Sequence, residues 1–273
     1  MKLLADLGNL FLGPLQGPEG ESPFEALFHH VLPHEQGELF GLKVWNFQIF
    51  QLLSVALIFV LFAGVARAIR NESGGFLQRV MAGWVLWIRE EMVYPYLGEE
   101  RGRLFLPFFL TMFFFIAIMN VLGIVPFGVT PTASIYVTAG MATVTLVVMI
   151  AGGMLVQGPL TFWRSLVPHG VPWWLVPLMF VLELVGLVVK PFALTIRLFA
   201  NMTGGHLVLL SFMGLIFYFG TDIGPGAGAA SSPVWVGLAV FIMIIEVFVA
   251  LLQAYIFTVL SIIFVGMSLQ PEH

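Results

Sequence analysis

Three features of the sequence predict an all-α polytopic membrane protein. It has about five membrane helices plus one interfacial amphipathic helix, and the last two membrane helices are long, tilted and folded back as a hairpin. The 273 residues are 59% hydrophobic and 10% charged, with mean hydropathy +1.00, whereas soluble domains carry about 25% charged residues. Residues 104–163 contain no Asp, Glu, Lys, Arg or His, which is enough chain to cross the hydrocarbon about twice at ~20 residues per span. Two more apolar stretches, 173–220 and 234–267, are each overlong for one upright span, since a helix rises about 1.5 Å per residue against a core of about 30 Å. The net charge of −4 is small and dispersed, which argues against a nucleic-acid partner. There is no cysteine, so disulfides, thiolate metal sites and cysteine nucleophiles are excluded.

Taken in order, residues 1–45 form a polar N-terminal segment, expected outside. The first 47 residues carry six acids and two lysines, and Pro14, Pro18, Pro23 and Pro33 break them into short pieces. Asp6 and Pro14 interrupt the apolar run after Lys2, so no convincing signal peptide is expected. His29, His30 and His34 lie close in sequence. Without cysteine or an ordered set of acids they read as a surface cluster, and no metal site is expected.

Residues 46–66 are the first membrane helix. Of the eleven Lys and Arg, six lie between Arg67 and Arg103, so the positive-inside rule puts 67–103 on the cytoplasmic side. Within it, helical spacing over 76–97 gathers Gln78, Arg79, Arg89 and Glu90 in one arc and Phe76, Val80, Trp84, Trp87 and Ile88 in the other. That pattern predicts a helix lying in the interface, with its tryptophans at headgroup level. Residues 104–157 are the second and third membrane helices, joined by a Pro-Phe-Gly-Val-Thr-Pro turn. Asn120 suits an inter-helix hydrogen bond as well as a pore group. Gly152 and Gly153 permit close helix approach. Residues 172–268 form the hairpin; Pro177, Pro191, Gly204 and Gly205 are its candidate bends. The link to Pro233 is small and Gly-rich, with Asp222 its only charge, and reads as outside.

The chemistry concentrates in 183–206. Glu183, Lys190 and Arg197 recur every seven residues, which returns each to nearly the same helix face. Asn201, one turn past Arg197, joins them, and His206 falls on the opposite face. On the last helix Glu246 and Gln253 share a face at the same spacing. Charges in a bilayer turn inward to partners or water and usually mark an ion or substrate path. The plainer alternative is a structural ion pair between Glu183 and Lys190. In an antiparallel hairpin, one register brings Arg197 level with Gln253 and His206 level with Glu246. Such a hairpin carries two polar vestibules, one from each side, separated by a fixed positive charge. A guanidinium stays protonated, so it blocks direct passage of a proton but stabilises a carboxylate brought near it. Imidazole titrates near neutral pH, so His206 and Glu246 can exchange protons. No mobile carboxylate stands at that depth, so the carrier is expected on another subunit.

These residues carry a resemblance. Leu194-Thr-Ile-Arg197-Leu-Phe-Ala-Asn201-Met-Thr-Gly-Gly-His206, the final helix with Glu246 and Leu252-Gln253-Ala-Tyr-Ile-Phe, Glu183, the Lys190-Pro191 step, and Asn120 with Pro126 resemble subunit a of the F-type ATP synthase, over most of the chain from about residue 40. The resemblance implies a non-catalytic stator subunit of the proton-transporting complex, with two offset half-channels to and from the carboxylates of a c-subunit ring. It implies Arg197 facing the ring, Gln253 and Asn201 beside it, His206 and Glu246 lining the outer half-channel, and Glu183 the cytoplasmic one. Asn120 joins this set. Many bacterial members carry an acid first and a histidine second where this chain has His206 and then Glu246. The implied partners are the c-ring, the peripheral stalk b subunits, the rest of the ATP synthase and the lipid bilayer. No cofactor is implied, and a bacterial plasma membrane is the expected location.

Two other readings compete. A stand-alone secondary transporter or channel would use Arg197 to bind an anion, but the halves show no convincing internal repeat. A membrane enzyme lacks H-E-x-x-H, and Ser211 with His206 is weak evidence for a nucleophile and base.

Overall fold

The computed structural model describes residues 35–39, 42–70, 75–124, 130–167, 170–219 and 224–269. Most of the polar head, with His29, His30 and His34, lies outside them. Two short strands come first, β1 (Glu35–Leu39) and β2 (Leu42–Trp45), paired antiparallel with Glu38 opposite Lys43. The elements that follow among the described residues are helical: α1 (Asn46–Arg70), α2 (Phe76–Trp87), a π-helical turn (Ile88–Val93), α3 (Tyr94–Ile124), a 3-10 turn (Pro131–Ala133), α4 (Ile135–Gln157), α5 (Pro159–Ser165), α6 (Val176–Tyr218) and α7 (Pro225–Leu269). Five helical stretches are long and apolar enough to cross a membrane. The predicted class, an all-α multi-pass membrane protein, stands; the hairpin ahead of α1 is a small addition to it.

Apolar spans form helices because a backbone in lipid must pair its N–H and C=O groups internally, and local chemistry sets several of the helix ends. At the start of α1 the Gln48 side chain reaches back and accepts from Trp45 N–H (3.2 Å), satisfying a donor the first turn leaves over. The expected break after residue 97 falls at Gly98, whose φ of 74° only glycine adopts cheaply, so the 76–97 segment turns away from the helix that follows. Pro191 sits inside α6 without ending it. At 43 residues α6 is unbroken, and about 65 Å of helix must tilt to fit a ~30 Å core. The last helix starts earlier than expected, at Pro225 rather than near Pro233. Proline is well placed at a first helical position, where its missing N–H costs nothing. Pro233 then removes the bond that Ala229 C=O would accept, and Ser232 Oγ donates to that carbonyl instead (2.9 Å).

The chain divides into two compact units. One takes in the described residues of Met1–Ser54, Met119–Ser134 and Ala200–Leu251; the other comprises those of Val55–Ile118, Ile135–Phe199 and Leu252–His273. In the second, close packing uses the two glycines the sequence singled out. A side chain on Gly153 would meet Ser268 Oγ and, at 2.5 Å, the Phe162 ring. The end of α7 is held there too: Gln157 Nε2 donates to Ser268 C=O (2.7 Å) and Arg101 Nη1 to Leu269 C=O (3.0 Å), covering carbonyls that a helix end leaves unpaired. Trp84 stacks on Phe113 (5.7 Å) and Trp87 lies against Tyr255 (5.6 Å), so one side of the amphipathic segment packs on protein.

Candidate functional site

In the first unit a polar cluster grows from three helices and a turn. Asn120, fully buried near the end of α3, donates from Nδ2 to Ala250 C=O on α7 (3.1 Å) and accepts at Oδ1 from Thr132 Oγ1 (2.7 Å). Both ends of its amide are thereby used, and the turn of α7 that follows Glu246 is tied to α3. Thr130 Oγ1 is hydrogen-bonded to His206 Nε2. On the other side of the ring, His206 Nδ1 stands 3.9 Å from Glu246 Oε1. His206 is 8% exposed and Glu246 6%. Both Glu246 carboxylate oxygens are buried without a hydrogen-bond partner among the described residues, as is Thr203 Oγ1. A buried carboxylate in that condition is costly. The predicted register of His206 with Glu246 is thus met by direct proximity.

Glycine makes the proximity possible. A Cβ on Gly205 would fall 2.6 Å from Glu246 Oε1 and 3.0 Å from its Cδ. Gly123 is as tightly placed against Thr130, whose Cγ2 would lie 2.7 Å from a Cβ there.

The second unit holds the other predicted residues in a different condition. Leu194, Leu198 and Thr195 are buried, while Val189 (51%), Phe192 (60%), Ile196 (44%) and Arg197 are exposed. So Arg197 stands on the outward, apolar face of α6, and it has no ion pair or hydrogen bond among the described residues. Gln253 is buried at 4%, its Nε2 without a hydrogen-bond partner among the described residues. Arg197 and Gln253 are not hydrogen-bonded to each other. Glu183 is half-buried. It makes no ion pair with Lys190, whose Nζ lies 5.7 Å over the Phe264 ring. Asn201, in the first unit, is half-buried. Among the described residues no three His, Asp or Glu side chains come together as metal ligands.

The family model described as ATP synthase A chain matches residues 48–266, which includes every one of these side chains. The chain belongs to the ATP synthase subunit a family. It is 43% identical over 189 residues to ATP synthase subunit a of Myxococcus xanthus, covering 69% of this chain and 60% of that protein. It is 37% identical over 258 residues to the subunit a of Chloroherpeton thalassium, covering 92% of this chain and 74% of the relative. An ATP synthase subunit a 2 of Chlorobaculum tepidum is 33% identical over 267 residues, with 91% of this chain and 74% of that protein covered.

Within this family member, sequence reasoning passed over Thr130, Thr132 and Gly123, and read Gly205 only as a candidate bend. The pair of threonines around Pro131 carried a signal, since hydroxyls in the turn after an apolar helix need partners. The role of Gly205 had none, because a glycine beside an acid on another helix is visible only once the helices are packed.

Proposed function

We propose that this chain is the membrane stator subunit of a rotary ATP synthase, carrying protons through two offset half-channels to and from the carboxylates of a c-subunit ring. The observation that carries the reading is Arg197: a permanent cation on an exposed, otherwise apolar helix face. A guanidinium is expensive against lipid, so that face needs a membrane-embedded partner that brings it an acid. A ring carboxylate meets that need and leaves again when protonated. Arg197 stays charged throughout, holds the ionised carboxylate and stops protons passing straight between the half-channels.

On the outer side, Glu246 and His206 load and unload protons, both being buried acid–base groups within a side-chain rotation of each other. Glu183 serves the cytoplasmic side. Asn201 and Gln253 flank the arginine, and Asn120 holds α7 in place so that Glu246 faces His206. The stalk b subunits and the rest of the synthase complete the assembly, in a bacterial plasma membrane.

Cysteine cross-linking tests this, because the chain has no native cysteine. Single cysteines at Phe192 and Ile196, on the outward face, should form disulfides with cysteines flanking the c-subunit carboxylate. Cysteines at the buried Leu194 and Leu198 should not. Free access of Ile196→Cys to a lipid-soluble maleimide, with no ring cross-link anywhere, would remove the rotor interface and reopen the stand-alone anion path.

A further inference from the structure

We propose that Thr130 is a positioning residue that holds His206 as the Nε2–H tautomer, which makes Nδ1 the nitrogen that exchanges protons with Glu246. This rests on reading His206 and Glu246 as a proton-exchanging pair and goes on to say which atom works.

Thr130 is unusually well fixed. It precedes Pro131, which excludes the helical region and leaves extended backbone, as found at φ −87°, ψ 104°. Its carbonyl accepts from Ala133 N–H (3.0 Å), closing the 3-10 turn. Its side chain fills the place that a Cβ on Gly123 would take. The hydroxyl is therefore delivered to His206 Nε2 from a rigid seat.

The direction of that hydrogen bond follows from the chemistry of the ring. A protonated imidazole donates from both nitrogens. If Thr130 donated to a bare Nε2, the bond would have to break and reverse each time that nitrogen gained a proton. If Nε2–H donates to Thr130 Oγ1, the bond survives in both charge states. The lone pair of the neutral ring then lies on Nδ1, the nitrogen 3.9 Å from Glu246 Oε1. That gap is beyond hydrogen-bond range, and rotation of the carboxyl closes it. Bare Gly205 leaves the room, since a Cβ there would stand 2.6 Å from the same oxygen. In the step itself, a proton leaves the Glu246 carboxyl, its bonding pair stays on the oxygen, and the Nδ1 lone pair takes it. The products are a carboxylate and an imidazolium. The ring later gives up the same proton from Nδ1, and Nε2–H is never involved.

The test compares Thr130→Val, which keeps the shape without the hydroxyl, with Thr130→Ser, which keeps the hydroxyl. Both are examined in the whole synthase in liposomes. Histidine 15N spectra read the tautomer, the His206 signal being the one lost in His206→Gln. The expected wild-type result for the neutral ring is a protonated Nε2 and a bare Nδ1. Thr130→Val should mix the two tautomers and slow ATP-driven proton pumping about fivefold, the scale of one lost hydrogen bond. Thr130→Ser should restore both readouts. A wild-type ring protonated at Nδ1 would overturn the proposal, even if Thr130→Val fails to assemble. So would an unchanged spectrum or unchanged pumping in Thr130→Val. Undiminished pumping in His206→Gln would instead remove the pair from the pathway, which is a failure of the functional reading and not of the tautomer assignment.

Discussion

His206 and Arg197 stand on one helix and present opposite conditions. Around His206 the partners come from this chain: Thr130 on one ring nitrogen and Glu246 facing the other, with Asn120 and Thr132 bonded nearby. Around Arg197 no ion pair or hydrogen bond among the described residues answers the charge, and its neighbours on that face are exposed valine, phenylalanine and isoleucine. The difference separates two uses of a polar group in a membrane. One kind is buried by its own fold, so its surroundings are set before any partner arrives. The other stands exposed on an apolar helix face, and under the proposed function its environment is completed by a partner.

Substitutions can break or sharpen that contrast. The largest effect belongs to Arg197→Ala. ATP-driven pumping in membrane vesicles should be abolished while the complex still assembles, because the side chain is exposed and holds no ion pair or hydrogen bond among the described residues. Coupled pumping at the normal rate would sink the assignment. Next comes Glu246→Ala, which should cut proton flux by about a hundredfold or more, the scale on which positioned proton-transfer groups contribute. Assembly yield should fall as well, since the change opens a cavity. Glu183→Ala, at a half-buried site, should cost less flux than Glu246→Ala; equal losses would erase the distinction between them.

Gly205→Ala should lower flux by a few-fold while sparing assembly, because the added methyl meets the movable end of Glu246 and not backbone. Gly153→Ala should do the reverse. Its methyl would meet the Phe162 ring at 2.5 Å, so thermal stability of the complex should drop by roughly 1–3 kcal/mol, the usual scale of overpacking. Normal turnover is expected in whatever assembles. The smallest effect is expected for Lys190→Met. Its contact with Phe264 is a cation–π interaction worth roughly 0.5–1 kcal/mol at such a site, so flux should stay within about twofold. A severe loss would show that Lys190 acts in the path and does not merely pack.

Much of this was legible before any coordinates. Apolar runs, cation placement and helix-breaking residues gave five membrane-capable stretches and a break after residue 97, because those signals are local to the chain. The hairpin register anticipated the meeting of His206 with Glu246, whereas the stripe expected for Glu183, Lys190, Arg197 and Asn201 is seen as one exposed and three half-buried side chains. Local signals were weaker for α7, which begins at Pro225 instead of near Pro233. There, the Ser232 hydroxyl takes over the carbonyl that Pro233 would have stranded, and no periodicity reports that exchange. The π-helical turn at Ile88–Val93, which buries Ile88, Met92 and Val93, is equally silent in sequence.

The sequence by itself determined the solvent this protein lives in, its number of membrane-capable helices and the identity of its charged residues, because composition and period depend only on neighbours along the chain. Only the tertiary structure decided what each polar group faces. It placed Thr130 on His206, used up the amide of Asn120 between Thr132 and Ala250, and let Gly205 admit the Glu246 carboxyl. It also left Arg197 exposed, with no ion pair or hydrogen bond among the described residues. Those outcomes join residues far apart in sequence, and a hydrogen bond or a missing methyl matters only where two helices have already come within a few ångströms.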